Sequence, residues 1–520
     1  MGMNRCRYAL ALAIMVAAPA LGPDVASAIA RPPIATPSAP PAVVTVGSEG
    51  QGRPIPAGFV GLSLEYRTML SYAGTDPRAI NPVFVRLVRN LSPHRPPVLR
   101  IGGDSTDWTW WPVPKLRRPR GITYNITPTW LAVARALAQS TGLRYILGIN
   151  LEANSPVIEA AEAHALLSGI GRRSIAALEL GNEPEQYSIL PWYTTARGVS
   201  VPGRRASYDL ETFTAEFSRF RRVMAGVPVA GPSSGNYWWL RGLPRFLSAE
   251  PPLGAVTVHS YWLNKCLTSP GLPGYPTVPN LLNPNPPSRL TRALAQYALL
   301  AHAHHTPIRI DEMNSVTCGG QRGVSDVFAS ALWAVNALFE SLSDGIDGVN
   351  IHTFPGTANQ LFGFSRVKGR WIGTVRPEYY GLLMFSQAAR PGAKLVRVAQ
   401  TDTGQTRVWA TIGKFGYTRV VLINDSVTDS SSVLVRTQSP PEPAKLERLL
   451  APSAYSKRGI TLGGQSFGVH TTTGSLAGVT STITLTPASS PAAAAPYAIT
   501  LPPASAAMLT IPPQRRRPRA

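Results

Sequence analysis

Two acids stand in short stretches of otherwise different character: Glu183 in LELGNEPEQY and Glu312 in IRIDEMNS. Each follows an apolar run that suits a buried strand, and each sits where polar turn residues take over. From 183 to 312 is 129 positions, so the two can cooperate only if the fold brings the chain back to one place. Two carboxylates about 5 to 5.5 Å apart around a glycosidic bond can cleave it in two steps. One attacks the anomeric carbon; the other protonates the departing oxygen and later deprotonates water. Taken singly, each acid has a plainer reading. Asn182-Glu183-Pro184 could start a helix, with Asn capping and Pro in the first turn. Asp311-Glu312 could be a solvated acidic loop. The specific signal is the pair, at equivalent places on two strands.

The elements that must position them can be read from the same rhythm. Eight apolar runs occur from Gly58 onward: FVGLSLE (59–65), PVLRIGG (97–103), RYILGIN (144–150), ALELGNE (177–183), VPVAGP (227–232), AVTVHSY (255–261), PIRIDE (307–312) and GVNIHT (348–353). Helix-like segments lie between them. Asp209 is a natural N-cap before Phe213, Phe217, Phe220 and Met224, which recur at helical spacing. Ser325 similarly precedes Phe328, Leu332, Val335, Phe339 and Leu342, and 288–302 is rich in Ala and Leu. Eight strand-helix units predict an α/β fold, a parallel (β/α)8 barrel. A doubly wound sheet would want a glycine-rich phosphate turn after an early strand, and GLSLEY is not one. In a barrel the reacting groups gather at the C-terminal ends of the strands. Glu183 ends the fourth strand and Glu312 the seventh, so both would face one mouth.

The flanking regions differ in texture. Residues 1–28 read as a signal peptide: Arg5 and Arg7, an apolar stretch too short for an ordinary membrane span, and Ala26-Ser27-Ala28 before the cut; an uncleaved anchor is the alternative. A Pro/Ala-rich linker (29–42) follows, then a strand-like segment (43–57) expected to join a C-terminal domain. The barrel occupies 58–389. From 390 to 512, short Val/Thr/Ile-rich runs between Gly, Pro, Ser and Asp turns predict an antiparallel β-sandwich. The last residues, 513–520, read as a basic disordered tail. Cys6 leaves with the leader, so Cys266 and Cys318 remain as an even pair in an oxidising compartment and are expected to form a disulfide, with two free thiols as the alternative. Two cysteines without a histidine pair make no zinc set, so no metal is expected.

Net charge is +22. The leader carries one of those charges and the tail four, so the body keeps +17, which favours anionic partners such as acidic polysaccharide or an anionic envelope. Nucleic acid is not indicated: the body has no dense Lys/Arg run with interleaved aromatics and no zinc-finger or helix-turn-helix pattern.

LELGNEP and IRIDEMNS resemble the acid/base and nucleophile strands of retaining glycosidases. Together with GLSLEY, VLRIGGDSTDWTWW, HSYW, CGGQRGVSDVFASALWAVNAL, GVNIHT and RPEYYGLLMF, they resemble glycoside hydrolase family 79, the β-glucuronidase and heparanase-like enzymes, over most of 58–390. The resemblance implies Glu183 as acid/base and Glu312 as nucleophile, with no cofactor. It implies Asn182 as the residue bonding the sugar 2-hydroxyl and Tyr261 as the one orienting the nucleophile, a core aromatic being the plainer reading of Tyr261. Glu65 and Asp104 end strands one and two and are candidates for sugar hydroxyls, or for support of other side chains. In family members the loop after the nucleophile gives aromatic hydroxyl and backbone donors to a uronate. Here that loop is Val316, Thr317, Cys318, Gly319 and Gly320, which retains backbone donors, Gly319 among them, without the tyrosine. His259 and His352 read as structural, and Trp110, Trp111, Trp238 and Trp239 as loop residues that could stack on sugars. The expectation is an exported retaining β-glycosidase acting on a carbohydrate, preferably a β-glucuronide. The alternatives are a neutral-sugar glycosidase on the same barrel and a glycan-binding envelope protein without turnover.

Overall fold

The computed structural model describes residues 41–513 apart from 94, 225, 251, 402–403, 439–441 and 488–495. The expected leader, nearly all of the linker and the basic tail lie outside the described residues. Eight parallel strands close into a barrel in chain order: Val60–Glu65, Val98–Gly102, Arg144–Ile149, Ile175–Leu180, Val229–Ser234, Ala255–Leu263, Ile308–Val316 and Gly348–His352. Closure is made where Val349 and Ile351 of the eighth strand pair with Val60 and Leu62 of the first. Their apolar residues are buried on both faces, as a barrel between its own core and a ring of helices requires. The fold class read from the sequence is thus borne out.

Two local expectations shift. The fifth strand begins at Val229 rather than Val227, because the Val223, Met224 and Val227 amides turn back to the Phe220, Arg221 and Met224 carbonyls instead of extending. Ser325 does not cap the helix that follows it. That helix is Ala329–Ser343, while the Ser325 hydroxyl accepts from the Gln321 amide and from Ser315 Oγ of strand seven. By contrast, Asp209 caps Leu210–Arg221 by accepting from the Thr212 amide at 2.9 Å, and Phe213, Phe217 and Phe220 are all buried.

The C-terminal strands form one ten-stranded sheet that curls over its own core, with Val420, Leu446, Ile499 and Leu509 in one apolar cluster. Its pairing is antiparallel with one exception. The N-terminal strand Ala42–Gln51 runs antiparallel to Lys394–Gln400 on one side and parallel to Ser431–Thr437 on the other. The sheet docks on the barrel through Trp409, whose ring stacks on Phe339 at 5.6 Å and whose Nε1 donates to Asn336. Among the described residues no helix is long and apolar enough to cross a membrane.

Phe339 is fully buried at this junction, between Trp409 and Phe385. Phe339→Ala should therefore lower the unfolding free energy by about 3–5 kcal/mol, read as a fall in the urea midpoint.

Candidate active site

Charge inside an apolar barrel needs partners, and Arg100 finds them on nearly every strand. Its side chain is fully buried in strand two. Nε lies 2.8 Å from Glu179 Oε2 of strand four and 2.9 Å from Asp311 Oδ2 of strand seven. Nη1 donates to Glu312 Oε2 at 2.7 Å, and Nη2 donates to Asn182 Oδ1 at 2.8 Å. Gly102, two residues on, makes room for this: a Cβ there would stand 2.5 Å from the guanidinium carbon. The other oxygen of Glu312 accepts from the Tyr261 hydroxyl at 2.7 Å, so both carboxylate oxygens are fixed.

Glu183 is presented by a constrained turn. Gly181 has φ +78, and a Cβ there would fall 2.4 Å from the Tyr187 hydroxyl. Glu183 itself is left-handed, at φ 44 and ψ 56, a conformation an ordinary L-residue adopts at a cost of about 1–3 kcal/mol and one that gathers at functional sites. Buried Asp107 ties the turn down. It accepts from the Asn182, Leu151 and Glu152 amides and from the Tyr187 hydroxyl. The Glu183 amide donates to the Ser233 carbonyl of strand five. The result places one carboxylate oxygen of Glu183, one of Glu312 and a ring nitrogen of His259 within 4.8 Å of one another.

His259 joins the two acids. Nδ1 is 2.9 Å from Glu183 Oε1, and Nε2 is 3.1 Å from Ser233 Oγ and 3.7 Å from Asp311 Oδ2. Burial opposes its charge, but Glu312 and Asp311 outweigh that and hold its pKa well above the ordinary value. Burial likewise opposes ionisation of Glu312, yet His352, His259, Arg100 and the Tyr261 hydroxyl together hold it well below the carboxylate range. The contacts of Arg100 and Tyr261, each 2.7 Å, are tighter than the 3.7 Å from His352 Nδ1. Burial raises Glu179 to about 8, overriding Arg100, while Asp311 is lowered, Arg100 and His259 outweighing burial. Both acids crowd the same Nε, whose hydrogen goes to Glu179, and one proton between them resolves the conflict. At neutral pH the buried charges then balance: Arg100 and His259 against Asp311 and Glu312.

The structure brings Glu183, Glu312, Asn182 and Tyr261 together. The Nδ2 group of Asn182 has no protein acceptor among the described residues, leaving a donor free. Glu65 is buried, accepts from the Ser105 amide, and has Oε1 3.8 Å from His352 Nε2. Asp104 is exposed, and the protein around its carboxyl, then Glu65, Glu183 and Glu312, shift its pKa upward. Gly319 lies in the loop after strand seven, its carbonyl accepting from Ala358 and Asn359; no hydrogen bond ties it to the acids. Cys266 and Cys318 are joined, linking the loops after strands six and seven. Trp238 is largely exposed beside Arg241 and Arg289, and Trp110 is buried with Nε1 on Asn125.

Sequence reasoning missed Arg100, Glu179 and Asp311 as a buried network and read His259 as structural only. The available signal was a charged residue inside each of three apolar strands: VLRIGG, ALELGNE and IRIDEMN. Glu183, His259 and Glu312 also have the spacing of a metal set, but Arg100 stands 2.7 Å from Glu312 and 3.3 Å from His259 Nε2. A cation placed among these donors would face that guanidinium, so they fit a metal poorly. A cavity of about 700 Å³ lies at the other end of the barrel, where Thr141 and Gly142 lead into strand three. Arg86, Arg89 and Arg95 line it and no carboxylate does, so it is not where paired-acid chemistry can occur.

No family model matches the chain. It is 25% identical over 472 residues to a β-glucuronidase of Aspergillus niger, across 79% of this chain and 82% of that protein. The chain is a glycoside hydrolase. The likeness agrees with the family 79 resemblance of its strand ends. Among solved structures, the glycosidase is similar to a 4-O-α-L-rhamnosyl-β-D-glucuronidase of Fusarium oxysporum. The TM-score is 0.66 at 17% identity, covering 90% of this chain and all of that one. It is also similar to a family 51 arabinofuranosidase of Xanthomonas axonopodis, with a TM-score of 0.61 at 14% identity, covering 91% and 99%. At these identities the structural matches carry the fold.

Between the ordinary carboxyl pKa of about 4.3 and about 8, the folded glycosidase holds on Glu179 a proton that the unfolded chain has released. Stability from this group is therefore full below about pH 4.3 and declines as pH rises toward 8. Glu179→Gln should flatten that decline in urea titrations at matched pH. Arg100→Met, which strands Asp311 and Glu312 without their guanidinium, should cost about 3–5 kcal/mol in the same assay.

Proposed function

We propose that this protein is a retaining β-glycosidase, exported by its leader, that acts preferentially on β-glucuronides with Glu312 as nucleophile and Glu183 as acid/base. The observation that carries the mechanism is the meeting of the two carboxylates within 4.8 Å at one barrel mouth. That spacing supports the shorter, double-displacement arrangement over the wider one that admits a water. Glu312 Oε attacks C1 as the C1–O bond breaks, and Glu183 gives its proton to the departing oxygen. A glycosyl ester of Glu312 results. Glu183, now ionised and faced by His259 Nδ1, takes a proton from water; the water oxygen bonds C1 and Glu312 is released. The stereochemistry at C1 is inverted twice and so retained.

The surrounding groups fit these steps. Arg100 and Tyr261 keep Glu312 ionised and aimed, and the free Asn182 amide can donate to the 2-hydroxyl, where bonds strengthen in the transition state. The preference for glucuronides is supported by the Aspergillus β-glucuronidase likeness and by the excess positive charge, which suits an anionic glycan or envelope. A neutral-sugar substrate is the second reading. It is favoured by the acidic floor of Glu65 and Asp104, which suits hydroxyl donors, and by the lack of a tyrosine in the loop after strand seven.

Release of the same chromophore from β-glucuronide, β-glucoside and β-xyloside separates the readings. The glucuronide should be fastest, and activity confined to neutral sugars rejects the substrate class. Glu312→Gln should lower kcat by more than about 10³-fold on the preferred substrate while the protein stays folded; hydrolysis equal to wild type rejects Glu312 as nucleophile. Glu183→Gln should cost about 10²- to 10⁴-fold on alkyl glycosides and much less on an activated nitrophenyl glycoside, whose leaving group needs no proton.

A further inference from the structure

The cations beneath the mouth are already engaged: Arg100 by Glu179, Asp311 and Glu312, and His259 by Glu183 and Asp311. Above them the floor is acidic, with Glu65, Glu183 and Glu312 close enough to act on Asp104. An anionic sugar entering such a floor is repelled unless a cation meets its charge. Arg67 is placed to do so. It sits in the one-turn helix Tyr66–Thr68, directly after Glu65 of strand one. Its guanidinium carbon lies 5.3 Å from the Trp108 ring, beyond strand two, and 5.1 Å from the Phe354 ring, beyond strand eight. The residue is exposed, and no carboxylate forms an ion pair with it among the described residues. Its charge nevertheless reaches the mouth, where it opposes the rise in the Asp104 pKa.

Two rings flank a long, otherwise mobile side chain, and its N–H groups make no hydrogen bond among the described residues. That lowers the entropy lost on binding. A planar fork of this kind matches a carboxylate with two parallel hydrogen bonds. Phe354 opens the loop after strand eight, and that loop holds the Gly319 carbonyl through the Ala358 and Asn359 amides. Arg67 thus leans toward the same side of the mouth as the glycine-rich loop that lacks the expected tyrosine. The neighbouring lysine of that region, Lys265, is occupied with the Gly320 carbonyl.

We propose that Arg67, pinned between Trp108 and Phe354, is the specificity-determining residue that binds the carboxylate of a uronic acid at this mouth. The proposal rests on the glucuronide reading above and replaces a neutral hydroxyl with a charged fork as the reader of the acid. A competing role, counter-ion to the acidic floor, would help every sugar equally.

The test is kcat/KM for an aryl β-glucuronide and the matching aryl β-glucoside, measured with wild type, Arg67→Gln and Arg67→Lys, each first shown to melt like wild type. Arg67→Gln should lose about 10- to 100-fold on the glucuronide, the range for a lost charge-assisted hydrogen bond, and stay within about twofold on the glucoside or improve; Arg67→Lys should recover part of the loss. Equal losses on both substrates, or a wild-type preference that survives Arg67→Gln, overturn the role of Arg67 and leave the glucuronide reading standing. A wild type that prefers the glucoside overturns both.

Discussion

A guanidinium held at the centre of the barrel organises the chemistry. Arg100 reaches strands four and seven and the turn after strand four with a single planar group. A buried cation of this kind is costly without compensation, and the structure compensates it with Glu179, Asp311 and Glu312. Because Glu179 keeps a proton, the guanidinium does not draw a third full charge inward. Asp311 balances His259, and Glu312 is left ionised at the upper edge. The state of the acid that meets the substrate is therefore set one layer below it.

The strands gain from the same arrangement. A barrel filled only with Val, Leu and Ile would be stable, but it would not fix the angle of two acids contributed by distant segments. Here the left-handed turn at Glu183 is held by Asp107, Tyr187 and Ser233, and Glu312 by Arg100 and Tyr261. The left-handed Glu183 and the charges around Arg100 thus meet at one mouth. The barrel and the C-terminal sheet are joined by apolar contacts such as Phe339 with Trp409 and by backbone hydrogen bonds from Phe328 and Ala329 to the 454–456 turn.

Much of this was legible in the sequence. Eight apolar runs ending in polar residues give the barrel, because burial on both faces leaves little choice of residue within a parallel strand. Glu183 and Glu312 stand out because they interrupt that pattern at strand ends. Arg100, Glu179 and Asp311 interrupt it within the strands, and there a single chain position looks like tolerance rather than design. Their meaning is carried by which strands face each other across the barrel, and sequence spacing does not encode that. His259 was passed over for the same reason, since its partners Glu183 and Asp311 come from two other strands. Arg67 carries no signal in the sequence, because its neighbours Trp108 and Phe354 come from the loops after strands two and eight.

The proposed mechanism requires an ionised Glu312 to attack carbon with no water between the two acids. Proton NMR of the first turnovers of an aryl β-glucuronide tests this most directly, before mutarotation mixes the anomers. The β-anomer of the free sugar should appear first, with the α-anomer growing in only as mutarotation proceeds. An α-anomer at the earliest times would mean a single displacement by water, and would contradict the roles given to both acids.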